Sequence, residues 1–216
     1  MASRRKNPFD GIDFTREVPV LLRPVHSKWS KSFQCSRPGF RTRLGKSGDE
    51  LNSHLCTGWA CVFKKRVAAF LTIQADQFRF ESTEKGKTVS LPDGDFAIIP
   101  AVKLMVLARD DRAKGAGKAL LLWVIDFIIR EIVPRLGVRF ITVDAYYEFD
   151  AYGKLAYDSG PWYADKFDFR YVDPNESPHP DGEYRSMYLD LLPLEEGYES
   201  PSALNQKNFQ KSFGTT

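Results

Sequence analysis

The stretch RAKGAGKALL, Arg112 to Leu121, gathers residues suited to holding an anion. Gly115, Ala116 and Gly117 are small, Lys114 and Lys118 flank them, and the chain turns apolar directly afterwards. A helix that begins at such a turn exposes backbone N–H groups without intrahelical acceptors, and its dipole favours negative charge at that end. Together these make a phosphate site. Glycines let the backbone approach the ligand without a Cβ in the way, and the lysines supply compensating charge. The two standard glycine motifs are absent. Arg112 stands where G-x-x-x-x-G-K-[ST] needs its first glycine and Ala119 follows Lys118, while Leu120 takes the third glycine place of G-x-G-x-x-G. A tight strand-to-helix turn with no ligand is the competing reading.

Such a turn needs a strand before it and a helix after it. AIIPAVKLMVLA (Ala97–Ala108) is a partly β-branched apolar run that suits a buried strand with Pro100 at its start. After the turn, Leu121, Val124, Ile125, Ile128, Ile129 and Ile132 recur at helical spacing, and Pro134 is the expected stop. GVRFITVDAY (Gly137–Tyr146) reads as a second buried strand. Upstream, Ala60–Lys64 and Val67–Gln74 read as two strands joined by a tight basic turn. Residues 28–56 read as polar and partly helical, with KSGDE (Lys46–Glu50) as a break. ESTEKGKTVSLPDGD reads as loop. DAYGKLAYDSGPWYADKF (Asp150–Phe167) is expected to be helical with a break at Gly160–Pro161. FRYV and YRSMYLDL are expected to be closing strands around the turn-forming insert DPNESPHPDG. Strands, glycine turn, long helix, strand, helix and strands in that order predict an α/β or α+β fold with mixed pairing.

The chain has 216 residues, 43% of them apolar and 13% aromatic, which is the composition of a globular protein of about one domain. The net charge of +3 is unevenly spread: residues 1–46 carry eleven Lys/Arg against Asp10, Asp13 and Glu17. That surplus points to a polyanionic partner or to a solvated basic arm. Cys35, Cys56 and Cys61 match neither a zinc spacing nor a C-x-x-C pair, so no metal is expected. No secretory leader opens the chain, and the run Ala119–Ile129 is broken by Asp126 and too short to span a bilayer. A reducing cytoplasm is the expected compartment, with no membrane partner. Residues 1–19 are expected to form a flexible basic arm, 20–194 the domain, and 195–216 a mobile tail.

The glycine stretch resembles the acyl-CoA pyrophosphate loop of the GNAT superfamily of N-acetyltransferases, whose pattern is Gln/Arg-x-x-Gly-x-Gly/Ala. Arg112, Gly115 and Gly117 occupy its three defined places. IPAVKL before the loop, ALLLWVIDFI after it and VRFITVDAY further on are similar to the branch that includes the acetyltransferase toxins of toxin–antitoxin modules. Weaker similarity reaches back to SKSFQC and forward to YRSMYLDL, so that the resemblance covers roughly Val20 to Leu192. It implies a mixed, mostly antiparallel central sheet flanked by helices, with a splay between the fourth and fifth strands. Acetyl-CoA would be the cosubstrate. Main-chain groups of Met105, Val106 and Leu107 would pair with its pantetheine arm, and the turn Arg112, Ala113, Lys114, Gly115, Ala116, Gly117 and Lys118 would hold its pyrophosphate. The acceptor would be a primary amine. The amino group of an aminoacyl-tRNA, held through the basic N-terminal segment, is one class; a small-molecule or protein amine is another. An antitoxin partner and a homodimer also belong to what the branch implies.

Acyl transfer to an amine requires a neutral nucleophile, a polarised thioester and a proton for the departing thiolate. In the family a tyrosine within Phe-Tyr-Glu-Lys-x-Gly-Phe often supplies that proton. YADKFDF (Tyr163–Phe169) fits the frame but puts Ala164 at the tyrosine place, with Tyr163 one residue early. AYGKLAY (Ala151–Tyr157) puts Tyr152 in place, closer to the preceding strand than usual. The alternatives stay open: Tyr163, Tyr152, or a site without a tyrosine acid, in which case the fold serves as a non-catalytic CoA-binding module. Asp144 and Glu148, at the end of the strand before them, are the carboxylates nearest to where an acceptor amine would come, and solvated strand-end carboxylates is the plainer reading.

Overall fold

The computed structural model describes residues 7–79 and 98–195. The expected loop over 81–95 and the tail beyond Glu195 lie outside the described residues.

The strands are β1 (Val20–Leu21), β2 (Thr57–Phe63), β3 (Arg66–Arg79), β4 (Ile98–Arg109), β5 (Phe140–Phe149), β6 (Leu155–Asp158), β7 (Arg170–Tyr171) and β8 (Tyr184–Asp190). The helices are α1 (Pro24–Ser27), α2 (Pro38–Asn52), α3 (Ala116–Phe127), α4 (Val133–Leu136), α5 (Gly160–Phe167) and α6 (Leu192–Glu195). One mixed sheet runs in the order β1-β2-β3-β4-β5-β8-β7, with β6 paired to β5. β4 and β5 run parallel; β1–β2, β2–β3, β5–β6, β5–β8 and β7–β8 are antiparallel. The parallel ladder pairs Ala101–Leu104 with Phe140–Val143 and ends there, although both strands run on. This is the α/β fold class that the order of elements predicts.

The described chain forms two compact units. Unit 1 takes residues 7–74 and 105–130. Its core is Leu22, Phe33, Leu44, Ala60, Val67, Phe70, Val106 and Ala108. Unit 2 takes residues 75–79, 98–104 and 131–195, with Phe78, Ile99, Ala101, Phe140 and Tyr188 clustered in its interior. Apolar residues at period two on the strands and at helical spacing on α3 bury these faces.

Three expectations change. The KSGDE stretch does not break α2. Leu44 and Ser47 of that helix are buried, Arg43 pairs with Glu50 at 2.8 Å, and Gly48 lies against Pro24 of α1, so tertiary packing outweighs the local glycine signal. Pro134 does not stop the long helix. A π turn over Ile128–Ile132 precedes it, Pro134 sits in the first turn of α4 where its missing N–H costs nothing, and Gly137 at φ 61° ends the helix. Residues 150–158 are not helical: a turn at Asp150–Gly153 leads into β6, and Gly160–Pro161 begins α5 instead of breaking it. In the described part of the N-terminal arm, Phe9 and Phe14 are buried with ring centroids 6.2 Å apart.

Candidate functional site

In unit 1, β4 leads into the glycine turn. Met105 is exposed, Val106 buried and Leu107 half-buried. The ladder with β5 ends at Leu104, so one backbone edge of these three residues lies outside it. Asp110 follows β4 and is fully buried. Its N–H donates to the Ala68 carbonyl of β3 at 2.7 Å. Its Oδ1 accepts from the Arg112 N–H at 3.0 Å and from Arg112 Nε at 2.8 Å; its Oδ2 accepts from the Gln34 N–H at 2.9 Å and from Arg112 Nη2 at 2.7 Å. The Arg112 guanidinium also donates to the Ser32 carbonyl at 2.8 Å and lies over the Phe9 ring at 5.7 Å. Its side chain therefore points inward, and its pKa is held up chiefly by the hydrogen bonds to Asp110.

The turn itself is built for a left-handed residue. Gly115 has φ 87° directly before α3, and a Cβ there would meet nothing within 4 Å, so its conformation and not the space requires glycine. Gly117 is different. A Cβ there would make only ordinary contacts with the Arg109 side chain, the nearest at 3.7 Å. Glycine within a helix costs roughly 0.5–1 kcal/mol relative to alanine, and packing within the chain gives no return for it. Ala113 and Ala116 are fully buried. The Ala113 N–H donates to the Asp110 carbonyl and the Ala116 N–H to the Ala113 carbonyl, so two of the six amides from Ala113 to Lys118 are already spent. Those of Lys114, Gly115, Gly117 and Lys118 have no acceptor among the described residues. The Lys114 and Lys118 side chains are exposed beside them. This arrangement can hold a phosphate through four amides and two cations, with Arg112 supporting the turn from behind.

Unit 2 carries both tyrosines. Ser159 fixes the start of α5 by donating from its N–H and Oγ to the Tyr146 carbonyl of β5, at 3.0 and 2.9 Å. Gly160 is required there, since a Cβ would collide with the Tyr171 hydroxyl. Tyr163 is 6% exposed and packs against Trp162 and Phe169, with ring centroids 5.0 and 5.4 Å away. Its hydroxyl has no hydrogen-bond partner among the described residues. Burial pushes its pKa well up, and neighbouring Tyr157 adds to the shift. At ordinary pH the phenol keeps its proton. Tyr152 stands in the turn at Asp150–Gly153, is 95% exposed, and only its backbone N–H is engaged, by Asp150 Oδ1 at 2.9 Å. Asp144 is committed to Lys103 Nζ at 2.5 Å and to Ser186 Oγ at 3.2 Å. Glu148 accepts from the Tyr146 hydroxyl at 3.0 Å. Among the described residues no group of three or more His, Cys, Asp or Glu gathers to hold a metal, and no helix is long and apolar enough to cross a membrane.

The residue missed in the sequence is Asp110. The one signal for it is its place two before Arg112; its other partners lie 76 positions away, at Gln34, and in β3.

No family model matches the chain, and no curated protein sequence does. Solved structures do. A tyrosine-to-phenylalanine mutant of KacT shares 16% identity at a TM-score of 0.60, over 83% of this chain and 97% of that one. AtaT complexed with acetyl-methionyl-tRNAfMet shares 14% at 0.56, over 77% and 90%. A tyrosine-to-phenylalanine mutant of the AtaT toxin, bound to the C-terminus of the antitoxin AtaR and to acetyl-CoA, shares 12% at 0.56, over 83% and 96%. These are GNAT-type toxins of toxin–antitoxin modules, and the chain has their fold.

Proposed function

We propose that this protein is an acetyl-CoA-dependent N-acetyltransferase that acts on a primary amine by direct transfer, with the amino group of an aminoacyl-tRNA as its acceptor. The observation that carries the reading is the turn at Gly115: four unengaged amides, two exposed lysines and a glycine at 117 that the fold itself does not need. The same fold holds acetyl-CoA in AtaT. Bound there, acetyl-CoA would supply an activated acetyl thioester.

The chain's own residues would then divide the work. The amides of Lys114, Gly115, Gly117 and Lys118, with the two lysine side chains, hold the pyrophosphate. The open backbone edge of Met105, Val106 and Leu107 pairs with the pantetheine amides. Tyr163 would give a proton to the sulfur as the carbon–sulfur bond breaks. A phenol already holds that proton at neutral pH, and burial keeps it neutral rather than making it a stronger acid. Tyr152 is too exposed to exclude water from a reacting group. The tRNA acceptor is supported by the AtaT complex and by the charge of unit 1, whose described residues carry sixteen Lys/Arg against eight Asp/Glu. An antitoxin and a second copy of the chain are the protein partners that fit the same reading.

Two measurements test it. Acetyl-CoA at about 100 times its Kd should stabilise the fold by about 2.7 kcal/mol; an unchanged melting curve at millimolar acetyl-CoA defeats the reading. Thiol release should then require an amine. Release with charged tRNA and not with uncharged tRNA supports the proposed acceptor, release with small amines alone replaces it, and binding without release under any acceptor leaves a CoA-binding module.

A further inference from the structure

The acetyl-CoA turn is held in shape by residues that would never touch the ligand. Asp110 is a fully buried carboxylate with both oxygens doubly engaged. It ties together the end of β4, the Gln34 segment and the turn. Arg112 adds the Ser32 carbonyl. The third part of this bracket comes from the N-terminal segment. Asn7 Nδ2 donates to the Arg112 carbonyl at 3.0 Å, the Phe9 ring lies under the guanidinium, and Phe9 and Phe14 are themselves buried. The segment is folded on itself by turns, with Asp10 N–H donating to the Asn7 carbonyl and Ile12 N–H to that of Phe9.

A buried ion pair of this kind is sensitive to its geometry. Removing one partner strands a charge in the interior, and the fork of arginine is what lets one side chain meet both carboxylate oxygens. The carbonyl that Asn7 holds belongs to Arg112, and the carbonyl of the next residue, Ala113, accepts the Ala116 N–H at the start of α3. The docked segment and the first N–H of α3 are thus held by the carbonyls of adjacent residues, at the turn that carries the open amides.

We infer that Asp110 and Arg112 are positioning residues for the acetyl-CoA turn and that docking of the segment Asn7–Phe14 is coupled to acetyl-CoA binding. The inference rests on the acetyl-CoA reading of the turn. Coupling is reciprocal: if the docked segment raises affinity for the ligand, the ligand holds the segment down by the same factor. Any event that pulls the segment away therefore weakens the hold on acetyl-CoA without touching the reacting groups.

The test uses the full chain. Acetyl-CoA affinity is measured by calorimetry for Arg112→Lys, Phe9→Ala and Asn7→Ala, with kcat at saturating acetyl-CoA alongside. Phe9→Ala should raise Kd about tenfold, which is about 1.4 kcal/mol, while its kcat stays within about threefold; Arg112→Lys should raise Kd by a similar factor. Asn7→Ala, which removes two hydrogen bonds, that of Nδ2 to the Arg112 carbonyl and that of the Phe9 N–H to Oδ1, should raise Kd about twofold or more. A purely structural role predicts lower melting temperatures with an unchanged Kd. A second measurement needs no substitution: trypsin cleavage after Arg16, an exposed side chain next to the segment, requires the turn bonds from Arg16 N–H to the Asp13 carbonyl and from Glu17 N–H to the Phe14 carbonyl to open. Saturating acetyl-CoA should slow that cut by the same factor that the variants lose in affinity. If the wild type binds acetyl-CoA but Kd is unmoved in all three variants and cleavage after Arg16 is indifferent to ligand, the coupling is wrong and the acetyl-CoA reading stands. If the wild type binds no acetyl-CoA, both fall together.

Discussion

Tyr163 and Tyr152 carry the same hydroxyl in opposite surroundings, one buried among Trp162 and Phe169 and one almost wholly in solvent. A proton donor acts only as the bond to sulfur breaks, so its loss lowers turnover more than affinity. Tyr163→Phe should cut kcat by roughly 10²–10⁴-fold with little change in the KM for acetyl-CoA. Tyr152→Phe should be silent in the same assay. Because burial raises the Tyr163 pKa, ionisation of that phenol should not depress the rate as pH rises through the ordinary tyrosine range near 10. A decline there that Tyr163→Phe abolishes would contradict the burial. Gly117 gives a second residue-scale test. Gly117→Ala, in the first turn of α3, should raise stability by at most roughly 0.5–1 kcal/mol and weaken acetyl-CoA binding, a split between melting temperature and Kd that packing alone does not produce. The sequence exposes Gly115 and Gly117 equally. What separates them, a positive φ at Gly115 and ordinary contact with the Arg109 side chain at Gly117, exists only in the folded chain.

The β2–β3 hairpin is closed by Lys64 and Lys65 at φ 47° and 60°, two non-glycine residues in the left-handed region. A two-residue loop with both φ positive is the type I′ geometry, which favours Asn-Gly. Left-handed backbone costs roughly 1–2 kcal/mol for an ordinary side chain. Lys64→Asn with Lys65→Gly should therefore raise the melting temperature. If the tip helps to hold RNA, the same change weakens RNA binding in a low-salt filter assay, and equal binding would leave the lysines without that role. The hairpin, β4 and α3 were legible because their signals are local: alternation, a glycine turn, an unbroken helical spacing. α2 and β6 were not. The glycines of α2 are overruled by Leu44 and Pro24 packing, and β6 exists because β5 offers it an edge, with Glu148 opposite Tyr157. The Asp110 bracket was illegible for the same reason, since it joins residues far apart in the chain.

At the scale of the whole molecule the charge is divided. The described residues of unit 1 hold sixteen Lys/Arg against eight Asp/Glu, and those of unit 2 hold eight against fourteen. Polyanion binding should therefore fall with salt, and the fall should be set by unit 1. Arg41 and Lys46 are exposed on α2, whereas Arg43 is paired with Glu50. Reversing Arg41 and Lys46 to Glu should lower the slope of log affinity against log salt by about 0.7 for each phosphate that these two side chains neutralise, with acetyl-CoA binding unchanged. A slope equal to that of the wild type would take α2 out of the RNA surface. The division into units also bears on how such a chain can be recombined. The chain passes between them at Gln74–Ala75 inside β3, at Leu104–Met105 inside β4 and at Arg130–Glu131 inside the π turn. Neither unit is a contiguous piece of the gene. A chimera that exchanges one unit for another's needs, among the described residues, these three junctions in register, two of them in mid-strand. A single crossover at any one of them leaves at least one unit assembled from both parents.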